Sequence, residues 1–326
     1  MEVNELSKNA RGGTELMLER LHSSINKDLI ENFQIIPSRV RELDETKIRV
    51  LWLHDLPGDP ESEHLKNRGW EKFHKLVFVS NWQMQAYVQH YNIPWSHCIV
   101  LQNAIQPLDF DLSTKTRDKI RLIYHTTPHR GLNILVPVFK KLCETHDNIE
   151  LDVYSSFKIY GWESRDEQYK QLFDDCKNTP NINYHGFVPN EEIRTSLTRS
   201  HIFAYPSIWT ETSCLALIEA MSAGNICVHP NLGALYETAA NWTHMYQWNE
   251  NPSQHANMFY SILDSAIKEL NSLSDDQYRN KIMTQKSYTD IFYQWNIRKM
   301  QWEALLYSLI DLPREIPKQQ FVYKTP

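Results

Sequence analysis

Residues 201–237 read HIFAYPSIWTETSCLALIEAMSAGNICVHPNLGALYE, and the order of elements in them decides the fold. HIFAYPS (201–207) is a short apolar strand, and SCLALIEAMSA (213–223) has the periodicity of an amphipathic helix. Gly224 stops that helix at the position where a left-handed residue is wanted. NICVHP (225–230) follows as a second strand, and NLGALYE (231–237) adds a Gly loop and Glu237. Strand, helix, strand at this spacing is the unit of a parallel α/β sheet.

Two carboxylates punctuate this unit. Glu211 falls in the loop before the helix, and Glu219 is expected about two turns into it, with seven residues between them. A Glu near a helix start is common, because negative charge is favoured there. The spacing gains meaning from its frame of strand, loop Glu, helix Glu, Gly, strand, Gly loop and Glu. A loop carboxylate can grip one end of a small ligand while the helix N-terminus grips an anion beside it. A carboxylate further along the helix can then hold hydroxyls, a layout that suits a sugar, a diphosphate and a ribose in line.

Working outward, strands alternate with helices through most of the chain. NFQIIPS (32–38), KIRVLWLHD (47–55), KLVFVS (75–80) and HCIVLQN (97–103) are expected strands of a first domain. Its helices are TELMLERLHSSI (14–25) and NWQMQAYVQHY (81–91), the latter capped by Ser80. The polar stretch PLDFDLSTKTRD (107–118) reads as a linker. KIRLIYH (119–125), IELDVYS (149–155), INYHGF (182–187), HIFAYPS and NICVHP are strands of a second domain, with helices between them and a helical tail from Pro252. The expected division is 1–110, 115–290 and 291–326. Two doubly wound domains facing a cleft would present ligands to the C-terminal ends of their strands. MEVNELSKNAR (1–11) does not alternate like a strand, so the first sheet is expected to lack its opening strand.

Composition narrows the class. The 326 residues are 41% hydrophobic and 23% charged, which fits a globular two-domain chain. A net charge of −6 argues against general nucleic-acid binding. No run of 18 apolar residues suggests a spanning helix, and the start carries no apolar signal core. Five scattered cysteines without a CxxC read as free thiols in a reducing compartment. A cytoplasmic place is expected, either free or peripheral at a membrane.

The remaining candidates are loop residues. Arg130 precedes Gly131 between a strand and a helix, where a guanidinium fork suits a diphosphate. Gly12 and Gly13 open the first helix and let backbone approach a phosphate. His54 ends a strand before Pro57 and Gly58 and points into the expected cleft, and Asp55 and Asp59 could instead orient an acceptor hydroxyl. The amides of Ser213, Cys214 and Leu215 are expected to be free at the helix start. Asp109-Phe110-Asp111 is literally a DxD but lies in the polar linker, so it reads as a solvated turn; no cluster has metal-ligand spacing.

Taken together, Tyr205 to Glu237 resembles the signature of retaining glycosyltransferases of family 4, which have the GT-B fold. RGGTEL (11–16) resembles the family's N-terminal glycine loop, and VLQNAIQ (100–106) its interdomain stretch. IYHTTPHRGL (123–132) resembles its basic donor-phosphate loop, and YQWNIRKMQWEALL (293–306) its closing helix with paired Trp295 and Trp302. The resemblance implies a GT-B fold of two Rossmann-like domains, with the closing helix crossing back to the first. It implies sugar transfer from a nucleotide-diphosphate sugar to a glycan, lipid-linked or protein acceptor hydroxyl, with retention and no cofactor; the lack of a strand-end DxD adds the expectation that no metal is needed. Glu211 would hold sugar hydroxyls, Glu219 the ribose, Arg130 the diphosphate, and His54 the sugar and acceptor. Relatives commonly carry a second basic residue where His125 and His129 stand here, and many have Gly in place of Cys214. A nucleotide-sugar epimerase of the same plan and a non-catalytic sugar-nucleotide scaffold stay open as alternatives.

Overall fold

The apolar runs between Phe33 and Val100 are built as four parallel strands. The computed structural model describes residues 12–311, and its backbone divides into two units. Residues 17–103 and 296–311 carry the four-stranded sheet; residues 12–16 and 104–295 carry a six-stranded one. The division falls inside helix α1 (Gly13–Ser24), which is followed by the short α2 (Lys27–Ile30). The strands are β1 (Phe33–Pro37), β2 (Ile48–Leu53), β3 (Lys75–Phe78) and β4 (Cys98–Val100), with helix α3 (Asn81–Tyr91) between the last two. Any opening strand before α1 would lie in 1–11, outside the described residues.

These strands pair in the order β1-β2-β3-β4, with Ile35 opposite Val50, Trp52 opposite Val77 and Phe78 opposite Val100. Sequential order with right-handed crossovers places every connection on one face of the sheet. On that face Leu51, Leu53, Leu76 and Phe78 pack with Trp70, Phe73, Met84 and Tyr87. The Ser80 hydroxyl caps α3 by accepting from the Gln83 amide at 3.0 Å. Strand periodicity turns Val50 and Trp52 to the opposite face.

In the six-stranded unit the elements run β5 (Ile120–Tyr124), α4 (Leu132–Leu142), β6 (Ile149–Val153), α5 (Lys170–Asn178) and β7 (Ile182–Tyr184). They continue with α6 (Asn190–Leu197), β8 (Ile202–Ala204), α7 (Leu215–Ser222), β9 (Ile226–Pro230), α8 (Leu235–Ala239) and β10 (His244–Tyr246). The long α9 (Pro252–Ser272) and α10 (Asp275–Phe292) follow. All strand pairs are parallel, in the order β10-β9-β8-β5-β6-β7. β5 is first in sequence but central in space, so the order reverses between β5 and β8. β10 is absent from the sequence reading, because three residues behind a turn carry no periodicity to read.

The stretch 107–118 is not a free linker. Leu108 is buried; its amide donates to Ser222 Oγ at 3.0 Å and its carbonyl accepts from Lys286 Nζ at 2.6 Å. The Phe110 ring lies under the ammonium groups of Lys115 and Lys286, at 5.0 and 5.6 Å. Two apolar residues inside a polar stretch fasten it to the six-stranded unit, and the division falls earlier, at Asn103 and Ala104.

Helix α11 (Trp295–Leu309) closes the described chain. From Asn296 it belongs with the four-stranded sheet, and the Trp302 ring meets Trp52 edge-on at 4.9 Å. It therefore covers the face that the crossovers leave open. Trp295 itself groups with the six-stranded unit, where its amide donates to the Ile105 carbonyl at 3.3 Å. All five cysteines are free, and no helix among the described residues is long and apolar enough to cross a membrane.

Candidate functional site

The reversal between β5 and β8 opens a crevice at the strand ends, the general ligand position of such sheets. The loop leaving β5 contains a 3₁₀ turn, Pro128–Arg130, then Gly131 at φ +117°. A Cβ at Gly131 would lie 2.2 Å from the Pro206 carbonyl oxygen, so only glycine permits this approach to the chain leaving β8. The approach sets Arg130 beside Glu211. Arg130 Nη1 donates to Glu211 Oε1 at 2.5 Å, and the Tyr205 hydroxyl donates to the same oxygen.

Glu211 is 4% exposed, and its main chain is pinned as well. It bridges Gly233 in the loop after β9, and its carbonyl accepts from the Ala234 amide at 2.7 Å. A Cβ on Gly233 would come within 2.5 Å of that carbonyl, which explains the Gly in NLGALYE. Burial disfavours charge on Arg130, yet the adjoining Glu211 carboxylate more than offsets it and holds the guanidinium protonated well above its usual range. Burial, then Glu211, pushes the Cys214 thiol well up, so it stays protonated.

Aromatic rings wall the same place. The Arg130 guanidinium sits 5.6 Å from the Trp209 ring, and His129 stacks on Phe157 at 5.1 Å with Trp209 edge-on at 5.0 Å. Burial lowers the pKa of His125 and of His129 to about 4, with Arg130 adding to the effect at His129. Both imidazoles are neutral near pH 7, so neither supplies a second cation there. Among the described residues, Thr127 Oγ1, His129 Nδ1, Arg130 Nε and Ser155 Oγ are buried without a hydrogen-bond partner. Native proteins leave few such atoms unmatched, and these four gather at the ends of β5 and β6, where a polar ligand would satisfy them.

The start of α7 borders the crevice. Cys214 is its N-cap residue and makes no side-chain cap bond; Leu215 is the first helical residue and Ser213 is half-buried before it. Glu219 is the fifth residue of α7, a little over one turn in, because the helix begins at Leu215 and not at Ser213. Glu219 is 5% exposed, and its Oε1 accepts from Arg194 Nη1 at 2.7 Å. Gly12 and Gly13 reach this unit too: a Cβ would meet the Tyr160 ring at 2.8 Å from Gly12 and the Leu215 side chain at 3.0 Å from Gly13.

His54 lies in the four-stranded unit, just past β2. Its amide donates to Ser38 Oγ at 2.9 Å and its ring sits 4.6 Å from Trp52. Desolvation lowers the imidazole pKa to about 3, so His54 acts as a neutral group. The loop after it is tied down by Gln83 Nε2 on the Asp55 carbonyl at 2.8 Å and by the Gly58 amide on the Tyr91 hydroxyl at 3.0 Å. Burial, then Asp59, raises the Asp55 pKa. In the DxD, Asp109 extends into solvent and Asp111 caps a 3₁₀ turn through the Ser113 amide at 2.9 Å.

The structure thus brings Gly12, Gly13, Arg130 and Glu211 into one unit with Ser213, Cys214, Leu215 and Glu219. Sequence reasoning missed Tyr205, Trp209, Phe157, Tyr160 and Arg194. Tyr205 and Trp209 stood inside the deciding stretch; Arg194 had one signal, a cation between the core positions Ile193 and Leu197.

The chain is similar to known proteins in sequence and in fold. The family description "Glycosyl transferases group 1" matches residues 108–278, just over half of the chain. The phosphatidylinositol N-acetylglucosaminyltransferase GPI3 subunit of Saccharomyces cerevisiae (strain YJM789) is 24% identical over 214 residues, 62% of this chain and 46% of that protein. Its counterpart of the same description in Schizosaccharomyces pombe is 22% identical over 202 residues, 60% of this chain and 40% of that one. The chain spans less than half of the length of these curated relatives. A glycosyltransferase from Rickettsia africae ESF-5 superposes with a TM-score of 0.67 at 16% identity, covering 95% of this chain and 85% of that chain. Anabaena Alr3699/HepE in complex with UDP-glucose superposes at 0.62 with 14% identity, covering 81% and 73%. These likenesses establish the GT-B fold class, with parallel sheets in two domains. With the family match over the six-stranded sheet, the chain belongs to the glycosyl transferases group 1 family.

Proposed function

We propose that this chain is a family 4 glycosyltransferase that moves a sugar from a nucleoside-diphosphate donor to an acceptor hydroxyl, with retention and without a metal ion. The observation that carries the reading is the Arg130–Glu211 pair at the β5/β8 crevice, beside four orphaned polar atoms. Arg130 and the uncapped start of α7, at Ser213, Cys214 and Leu215, neutralise the diphosphate as charge builds on it. Gly12 and Gly13 let main chain approach the same phosphates. Glu211 orients sugar hydroxyls and Glu219 the ribose, while His54 serves the acceptor side as a neutral hydrogen-bonding group. Nothing in the site calls for a covalent nucleophile, so the acceptor attacks on the face the diphosphate leaves. The departing phosphate oxygen takes the acceptor proton.

Relatives name the first substrates to try. One is complexed with UDP-glucose and others are subunits of a phosphatidylinositol N-acetylglucosaminyltransferase. A UDP-hexose or UDP-N-acetylhexosamine and a lipid-linked hydroxyl head the panel, ahead of glycan and protein acceptors. The protein is incubated with UDP-, GDP- and ADP-sugars, with and without acceptors, and the product anomer is read by NMR. Acceptor-dependent transfer with the donor's anomeric configuration is the expected result. Inversion of a sugar centre without any acceptor would make the chain an epimerase, and tight binding without turnover a scaffold.

A further inference from the structure

Glu219 is buried on α7, and a carboxylate in such surroundings is unfavourable unless it is paired. Its partner is Arg194 of α6, whose side chain is 13% exposed. Both terminal nitrogens are engaged: Nη1 donates to Glu219 Oε1 at 2.7 Å, while Nη2 donates to the carbonyls of Gln106 at 2.8 Å and Pro107 at 3.4 Å. Three acceptors from two other chain segments fix one planar group, which cannot turn without losing a charge-assisted bond. Among the described residues Arg194 is the one donor to that carboxylate, and the contact is end-on, so Oε2 is left over as an acceptor.

We propose that Arg194 is the positioning residue for the nucleotide end of the site, holding the Glu219 carboxylate aimed so that Oε2 can accept ribose hydroxyls. The proposal rests on the donor-site reading above. Arg194 differs in kind from Arg130. Arg130 lies in the crevice, beside the orphaned atoms, and is assigned to the diphosphate; Arg194 acts only through Glu219. Its removal should therefore weaken a ligand that has a ribose and leave a bare diphosphate untouched. Lysine, with a single ammonium, can neutralise Glu219 but cannot also grip Gln106, so it should restore part of the effect.

The test is calorimetric titration of UDP and of inorganic pyrophosphate into the parent protein, Arg194→Met, Arg194→Lys, Glu219→Gln and the Met/Gln double variant, each checked for an unchanged melting profile. Expected is about tenfold weaker UDP binding for Arg194→Met, with pyrophosphate affinity unchanged. Arg194→Lys should fall between Met and the parent, and the double variant should be no weaker than the worse single one, because the pair acts as a unit. Parent-like UDP binding by Arg194→Met overturns the proposal, as does equal weakening of UDP and pyrophosphate or an additive double variant. If Arg194→Met does not fold, parent-like UDP binding by Arg194→Lys together with Glu219→Gln overturns it. Failure of the parent itself to bind UDP, GDP or ADP overturns the donor-site reading and this proposal with it, and is read before any variant is made.

Discussion

Arg130 Nη1 lies 2.5 Å from Glu211 Oε1 although 81 positions separate the two residues in the chain. The contact joins the loop after β5 to the loop after β8, across the reversal of strand order. Both side chains are largely buried, at 21% and 5% exposed. Losing one member of such a pair strands the other charge, which costs roughly 3–5 kcal/mol. Arg130→Met should therefore destabilise the fold by about 3 kcal/mol. Tyr205→Phe removes only a hydroxyl donor to the same carboxylate and should cost about 1 kcal/mol. Replacing both Arg130 and Glu211 by apolar residues should recover much of the loss. Urea denaturation of the three variants is the check; a stable Arg130→Met protein would contradict this account of the pair.

Turnover should persist in EDTA. In the proposed mechanism the leaving diphosphate is met by Arg130 and by the start of α7, and the literal DxD at 109–111 is a cap and a solvated side chain. Release of nucleoside diphosphate is measured after metal stripping. Abolished turnover that returns with Mn²⁺ or Mg²⁺ would show that a cation holds the diphosphate, against the proposal.

The two signature carboxylates should separate by ligand. Glu219→Ala should weaken UDP by about tenfold, the worth of one charge-assisted hydrogen bond. Glu211→Ala should leave UDP alone less affected than the sugar-bearing donor. The order of the pair along the crevice is the reason: Glu211 lies beside Arg130 and Glu219 further into α7. Calorimetry with UDP and with UDP-glucose distinguishes them, and equal effects on both ligands would undo the assignment of sugar and ribose ends.

Much of this was legible in the sequence, for definite reasons. Each of β1 to β9 carries an apolar run that periodicity can find, and Ser80 and Gly224 announce helix ends by their chemistry alone. Gly131 and Gly233 stood in the loops as glycines, but nothing local said that Pro206 and Glu211 were what they had to clear. The aromatic wall of Phe157, His129 and Trp209 comes from three separated loops, so only the folded chain assembles it. Arg194 was hidden for the same reason: its three acceptors lie 25 to 88 positions away. The stretch 107–118 misled because its composition is polar while its apolar anchors, the buried Leu108 and the partly buried Phe110, are few.

Stability should fall steeply in acid. Burial lowers the pKa of His54 to about 3, and of His125, His201 and His229 to about 4, against 6.5 for the free side chain. Between those values the unfolded chain binds protons that the folded one refuses, so stability rises with pH across that window. The contribution is complete above about pH 6.5 and is lost as pH falls toward 4. His229 is fully buried, between the Pro230 carbonyl and the Thr243 hydroxyl, both at 2.8 Å. Each such histidine adds up to about 1.4 kcal/mol per pH unit. The melting temperature should drop between pH 6.5 and 4.5. His229→Gln should flatten that dependence; an identical slope in the variant would exclude His229 as a contributor.

The closing helix should stabilise one unit without touching donor binding. Sequential strand order leaves one face of the four-stranded sheet without crossovers, and Trp302 fills it against Trp52, both essentially unexposed. Removing so large a buried ring leaves a cavity, and Phe or Trp to Ala in a core costs roughly 3–5 kcal/mol. Trp302→Ala should reach that range, and Trp302→Ala with Trp52→Leu should cost less than the sum, since each ring is already missing its partner in the single variants. Hydrogen exchange localises the effect: amides of β2 and β3 should open faster, while those of β5 and β8 keep parent protection. UDP affinity should not change, because every residue proposed to meet the nucleotide belongs to the six-stranded unit. A Trp302→Ala protein with parent exchange rates in β2 would show that α11 does not hold that face.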